Sequence, residues 1–139
     1  MPGGKSDYLE NKLRDHALGG PDFTRPATVY VRLYTVAPSD TGGGTEVSTA
    51  DWTNYAPEAV ANNDTNWPNA VTDTPKSNGT EIDFGTATIV SSPTVVAFGV
   101  WDASSGGNLL IWATLTTNRT IINGDPVKFP VGSLAWTET

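Results

Sequence analysis

The side chains that carry most enzymatic chemistry are sparse in this chain. Cysteine is absent, which excludes disulfides, a thiolate nucleophile and a cysteine metal site. The single histidine, His16, lies in a segment with helical periodicity, where a lone histidine packs or faces solvent far more often than it acts as a general base. No nucleophile elbow, zinc-binding histidine pair or phosphate-binding loop is present. The sequence therefore predicts no catalytic residue, no metal site and no cofactor.

Two carboxylates, Glu81 and Asp83, have the spacing that places side chains on one face of a strand. Such a pair can serve acid–base chemistry at a glycosidic bond or bind Ca²⁺. Carboxylates on an exposed strand face are usually solvated, and we favour that interpretation. Asp102 opens a Gly-rich turn, where an aspartate usually accepts hydrogen bonds from backbone N–H groups rather than holding a metal.

Charge is divided unevenly along the chain, whose net charge is −7. Up to Thr35 there are five basic and four acidic residues, whereas the remainder has three basic and eleven acidic residues. The clustered Lys and Arg that phosphate contacts need are missing from the acidic part, which argues against nucleic-acid binding. Because no apolar run reaches the length of a membrane span or resembles a signal peptide, we expect no membrane association.

Two apolar runs flank a short polar turn in residues 94–115 and predict the hairpin around which the fold is organised. The turn, residues 104–108, reads Ser-Ser-Gly-Gly-Asn and supplies the positive φ angles that a hairpin loop needs. Strand side chains alternate between two faces. In the first run this places Val96, Phe98 and Val100 on one face and Val95, Ala97 and Trp101 on the other; in the second, Leu109, Ile111, Ala113 and Leu115 alternate with Leu110, Trp112 and Thr114. Because both faces are apolar, both need cover.

The N-terminal segment predicts a disordered tip at residues 1–5, followed by one helix of about three turns. Ser6 or Asp7 caps the helix, Asp7 and Glu10 have capping-box spacing, and Gly19 ends it. A helix this short is not stable alone in water, so it must dock on the β-body or on a partner. Its docking stripe consists of Tyr8, Leu9, Leu13, His16 and Ala17.

Residues 27–36 predict the first strand, with an aliphatic side that belongs in the core. The other side carries Tyr30, Arg32 and Tyr34, and these residue types are favoured at protein interfaces. The alternative is a solvated face covered by a loop, and the sequence leaves both interpretations open.

The rest of the chain alternates short strands with turns. Residues 62–79 form a long polar loop, which Trp67 fixes to the body. A turn is expected at residues 116–119, and Asn123-Gly-Asp125 is a strong tight-turn signal. Pro130 suggests that the last long strand lies at an edge.

This pattern predicts an all-β fold, an antiparallel β-sandwich or jelly-roll-like barrel with one short N-terminal α-helix. We divide the chain into a docking arm at residues 1–25 and a β-sandwich domain at residues 26–139. Five tryptophans are many for a sandwich of this size, so some should be partly exposed. Such aromatic platforms are also typical of a carbohydrate-binding module.

Several motifs stand in a fixed order along the chain: Ser6–His16, Gly19-Gly20, Pro26–Tyr34, Gly44–Ser48, Tyr55–Val60, Phe98–Ala103, Gly106–Leu110 and Asn123–Asp125. In this order they resemble a family of small tailed-bacteriophage virion proteins, whose members are labelled as tail fibre or minor structural proteins. The resemblance implies a non-enzymatic particle component and does not fix its place on the particle. One departure is Pro57, where a polar or basic residue is more usual, and this weakens the prediction of a strand there.

From the resemblance we favour a capsid decoration or cement protein that binds the phage major capsid protein as a symmetric homo-oligomer, with a trimer preferred. It would be made in the host cytoplasm and lie at the virion surface. One alternative is a tail fibre, tail-tip or collar component that binds tail proteins, and another is a free carbohydrate-binding β-sandwich module. The candidate interface consists of Tyr8, Leu9, Lys12, Leu13, His16, Tyr30, Arg32, Tyr34 and Trp67.

Overall fold

The computed structural model describes residues 3–71 and 75–136, in which one helix and ten strands form. Helix α1 is Asp7–Ala17. The strands in chain order are β1 (Gly3–Lys5), β2 (Thr28–Val36), β3 (Thr45–Glu46), β4 (Glu58–Ala61), β5 (Lys76–Ser77), β6 (Ile82–Thr86), β7 (Thr94–Trp101), β8 (Leu109–Thr120), β9 (Pro126–Phe129) and β10 (Ala135–Trp136). All pairings between these strands are antiparallel, and none of them closes a barrel. The prediction of an all-β antiparallel fold with one short helix is therefore confirmed.

The predicted hairpin, β7 and β8, lies inside the largest sheet. Its strands follow the order β1-β8-β7-β2-β3, and β4 also pairs with β2. The hairpin loop contains Gly106 and Gly107 at φ angles of +62° and +75°, which are the positive values expected of these positions. The first strand, predicted at residues 27–36, also forms, as β2.

The hydrophobic core lies between the large sheet and a second layer built from two small sheets, β5–β10 and β6–β9. From the large sheet it receives Val31, Phe98 and Ala113, and from the second layer Val127 and Leu134, all of them at most 1% exposed. Trp67 of the long loop is also buried in this core, so the predicted anchoring of that loop is confirmed.

The predicted assignment of faces in β7 is wrong at its start. Val95 packs in the core with Phe98 and Val100, whereas Val96 is outside the core cluster. The pairing register between β7 and β8 shifts between Val95 and Ala97, and such a bulge moves a residue to the opposite face. A second shift, between Val100 and Trp101, likewise brings Leu110 rather than Leu109 into the core.

The prediction of a disordered tip is wrong for residues 3–5, which form β1 on the edge of the large sheet. Gly3 lies opposite Ala113, and a Cβ atom at Gly3 would stand 2.6 Å from the carbonyl oxygen of Trp112. The absence of a side chain lets the strand approach this closely. Residues 1 and 2 lie outside the described part, and the domain division at residue 25 stays a prediction.

The predicted turn at residues 116–119 is also wrong, because β8 continues as a strand to Thr120. β7 lies alongside it, with Val95 opposite Arg119 and Thr94 opposite Thr120. The Arg119 guanidinium donates to the carbonyl oxygens of Pro126 and Lys128 and so joins β8 to β9. Tertiary pairing therefore overrides the turn propensity of this polar stretch.

One buried amide, that of Asn78, holds the end of the long loop against the second layer. Its Nδ2 donates to the carbonyl oxygens of Thr80 (2.9 Å) and Pro130 (3.0 Å), with a longer contact to that of Phe129 (3.3 Å). Its Oδ1 accepts from the N–H of Leu134 at 3.0 Å. Asn78 is 1% exposed, so its amide group has no access to water and depends on these backbone partners.

The isosteric change Asn78→Asp should lower the free energy of unfolding by about 3 kcal/mol or more, because it replaces a donor by a buried carboxylate oxygen facing carbonyl groups. The control is Asn63→Asp, since the exposed Asn63 uses only its oxygen, accepting from Thr65 N and Asn66 N. Urea unfolding measures both variants. Equal stability of the two would contradict the role assigned to Asn78.

Candidate interface site

Helix α1 is fixed to the sheet through Ser6, the residue just before its first turn. The Ser6 hydroxyl accepts from the N–H of Leu9 at 3.2 Å and donates to the carbonyl oxygen of Leu109. The Ser6 N–H donates to Leu110 O at 2.8 Å. Ser6 rather than Asp7 is therefore the cap. The capping box predicted from Asp7 and Glu10 does not form, because position N3 is Leu9 and the cap N–H is already bonded across the sheet.

Beyond its first turn the helix leaves the body. Tyr8 and Leu9 are half-buried and pack against the core. Every residue from 11 to 22 is exposed, including Leu13 at 37% and Leu18 at 86%. Only the N-terminal end of the predicted stripe therefore docks on the chain's own body, and the remaining apolar side chains face outward.

The helix returns to the body through a short segment that is bonded at both ends. His16 Nδ1 accepts from the N–H of Phe23 at 3.1 Å, so the proton of a neutral ring is on Nε2. Further along, the Asn62 amide donates to the carbonyl oxygen of Pro26 at 2.8 Å. We call residues 6–25 the arm. The exposed His16 therefore bonds to the arm's own backbone.

The arm thus brings together five of the nine predicted interface residues. Tyr8 and Lys12 are neighbours, with Lys12 Nζ 5.7 Å from the centre of the Tyr8 ring. Leu18, which the sequence analysis did not include, is the most exposed large apolar residue described. No signal in the sequence distinguishes it from an apolar residue that docks.

Of the other four predicted interface residues, Trp67 is buried in the long loop, and Tyr30, Arg32 and Tyr34 lie on β2. Arg32 is 6% and Tyr34 is 2% exposed, while Tyr30 is half-buried. The Arg32 guanidinium carbon is 4.0 Å from the centre of the Trp101 ring. Trp101 Nε1 in turn donates to the Tyr34 hydroxyl at 2.8 Å. Burial is the main reason that the pKa of Tyr34 is raised above its ordinary value.

This cluster fastens the hairpin loop over the face of β2. Arg32 donates to the carbonyl oxygens of Ala103 at 2.7 Å and Gly106 at 2.8 Å. Gly99 lies beneath it, and a Cβ atom there would stand 3.1 Å from both Trp101 Nε1 and the Tyr34 ring. The sequence left open whether this face of β2 is a protein interface or a face covered by a loop. At Arg32 and Tyr34 it is covered by a loop. The sequence analysis missed Trp101 as the partner of Arg32 and Tyr34, because this contact depends on the pairing of β2 with β7, which the sequence does not show.

The two carboxylates singled out in the sequence, Glu81 and Asp83, are both exposed. Asp83 accepts from the N–H of Gly85 at 2.7 Å and lies 4.0 Å from Lys128 Nζ. Desolvation, and secondarily the charge of Asp83, raise the pKa of Glu58. Residues 3–71 and 75–136 contain no cluster of three metal-ligating side chains. Asp102 accepts from the backbone N–H of Asn108 at 2.6 Å, which confirms its predicted turn role.

The tryptophans divide as expected, with Trp52 and Trp67 buried and the other three half-exposed. One ring face of Trp101 lies against Arg32. Trp112 Nε1 donates to Asp40 Oδ1 at 2.9 Å. Two of the half-exposed tryptophans are therefore engaged within the chain, which leaves fewer open platforms for a sugar ring.

Comparison with known proteins gives one family. A family model described as "Podophage GP4 fiber I protein gp80" matches residues 4–137, which is nearly the whole chain. No curated protein matches the sequence. Within the described ranges, no helix has the length and apolar character needed to cross a membrane.

Replacing the buried guanidinium, Arg32→Ala, should lower the free energy of unfolding by about 2–4 kcal/mol, because two loop carbonyls lose their donor and Trp101 loses its cation. Arg14→Ala is the control, since Arg14 is exposed on the arm, and its effect should stay within about 0.5 kcal/mol. Chemical unfolding followed by tryptophan fluorescence measures both. An Arg32 effect as small as that of Arg14 would contradict the assigned role.

Proposed function

Because the chain belongs to the podophage GP4 fiber I protein gp80 family, we propose that it is a subunit of a fibre on the phage particle. The family is one of structural phage fibre proteins, so the chain is a structural virion component, and the resemblance found from the sequence is confirmed. Its working parts are surfaces that contact other subunits, and we propose that it catalyses no reaction.

The arm is the surface that we propose makes these contacts. It exposes Leu13 and Leu18 on a helix that only its first turn joins to the body. Leu13, Ala17 and Leu18 line one depression on its surface, and contiguous exposed apolar side chains are characteristic of protein contact sites. The chain up to Thr35 is also nearly neutral, whereas the rest has a large excess of acid. Neighbouring copies would repel one another least when they meet through the arm.

A fibre and a capsid shell are different placements for such a subunit. The family description names a fibre, and it gives no support to the capsid decoration that we favoured from the sequence alone. We therefore place the chain in a fibre and treat binding to the major capsid protein as the outcome that would replace this proposal. Tail-tip or collar placement is a further outcome of the same experiment.

We also propose that the chain assembles symmetrically, with three copies around an axis. One patch then serves every contact, and the weak contacts of a small surface add up. Light scattering of the purified chain should give a mass near three times its 14.7 kDa. A mass of one chain at all concentrations would overturn the trimer, and the arm would then bind a different protein.

The placement is tested on particles assembled in cells that supply this chain in place of the phage's own copy. Gold-labelled antibody against the chain should mark fibres in electron micrographs. Label spread over the head at many copies would overturn the fibre proposal in favour of capsid decoration. Label at the collar or tail tip, away from any fibre, would overturn it in favour of those sites.

The same particles test the arm. A double variant, Leu13→Asp with Leu18→Asp, should be missing from purified particles, because a carboxylate in an apolar contact loses its hydration. The control is Val90→Asp, an apolar residue that is 75% exposed on the β-body, and it should be incorporated normally. Equal incorporation of both would contradict the role of the arm. Thermal unfolding checks that each variant folds.

A further inference from the structure

An apolar pocket of about 170 Å³ opens beside the base of the arm. Its walls include Leu9 from α1, Phe23 from the return segment, Ile111 from β8, and the indole rings of Trp67 and Trp136. Apolar cavities of about 150 Å³ stay dry and take up benzene, so this pocket has room for one aromatic ring. Three aromatic side chains in its walls supply edges and faces for such a ring to pack against.

The described charged residues that line this pocket are all positive. Arg25 and Lys76 are among its lining residues, and none of the described lining residues is acidic, although the chain as a whole carries −7. Lys76 Nζ donates to the carbonyl oxygens of Trp67 at 3.0 Å and Pro68 at 2.6 Å. Arg25 is exposed and forms no hydrogen bond or ion pair within residues 3–71 and 75–136. The Arg25 guanidinium is therefore available to an anion.

We propose that this pocket receives an aromatic side chain from a segment of a different virion protein, and that a carboxylate next to that side chain pairs with Arg25. The proposal rests on the proposed function, since it takes the chain to be built into a particle. A second copy of this chain is a poor occupant, because every tyrosine, phenylalanine and tryptophan of the described structure is buried or half-buried, and none is as exposed as a ring that enters a partner's pocket must be. The unpaired Arg25 guanidinium is the reason for the acidic group. The apolar volume of the pocket is the reason for the aromatic ring.

The probe is 3-phenylpropionate, which carries one ring and one carboxylate, and its neutral counterpart is 3-phenylpropanamide. Both are titrated into the full-length ¹⁵N-labelled chain. The indole N–H signals of Trp67 and Trp136 should shift, while that of Trp52, which donates to Asn54 Oδ1, should not. The carboxylate should bind about 3- to 5-fold more tightly than the amide, which is the effect of one exposed ion pair.

Two variants separate charge from volume. Arg25→Gln should remove the preference for the carboxylate while leaving binding of the amide unchanged, and the matched control Arg14→Gln should keep the preference. Phe23→Ala should weaken binding of both probes, because it removes an aromatic wall.

Three outcomes would overturn the proposal: no shift of the two indole signals, equal binding of the two probes by the unmodified chain, or self-association of the chain that prevents probe binding. The last outcome would assign the pocket to a second copy. Failure here is distinct from failure of the fibre placement. If gold label marks fibres but no probe binds, only the pocket proposal is wrong. If the probe binds but the label marks the head, only the fibre proposal is wrong.

Discussion

The central hairpin is apolar on both faces, and this constraint determines how the rest of the chain is arranged. Both sides of β7 and β8 must be shielded from water, which is favourable in proportion to the apolar area buried. The second layer covers one face with Val127, Phe129 and Leu134. The chain's own hairpin loop covers part of the other, where Arg32 fastens it over Trp101. Once both faces are covered, the helix has little core left to join, and most of it projects into solvent.

Irregular segments cover much of this body, and buried side chains satisfy their backbone groups. A loop over a core brings carbonyl and N–H groups away from water, and each needs a partner. Arg32 provides donors to two carbonyls of the hairpin loop, and Asn78 bonds both to its own segment and to the strand end after β9. These two polar residues therefore define the shape of the molecule as much as the apolar core does.

What the sequence could predict follows from how local each feature is. The hairpin, its glycines, the strand β2 and the helix cap depend on a few neighbouring residues, and all of them form. The edge strand β1, the extension of β8 to Thr120 and the burial of Arg32 depend on partners distant in the chain, and each of these was missed. The bulge at Val95 shows the same limit, since alternation predicts faces only while the register is unbroken. Of the predicted interface, Lys12, Leu13 and His16 on the helix are exposed, whereas Trp67, Arg32 and Tyr34 are buried.

The central claim is that a stably folded β-body carries an arm that is free to contact other subunits. Amide hydrogen exchange in the purified chain, resolved by residue, tests this most directly. The account predicts the slowest exchange at Val31, Phe98 and Ala113, at free energies close to that of global unfolding, and fast exchange along residues 12–18 at all concentrations where the chain is a monomer. Protection of residues 12–18 equal to that of the central strands in the monomer would show that the arm is part of the folded core, and it would contradict the account.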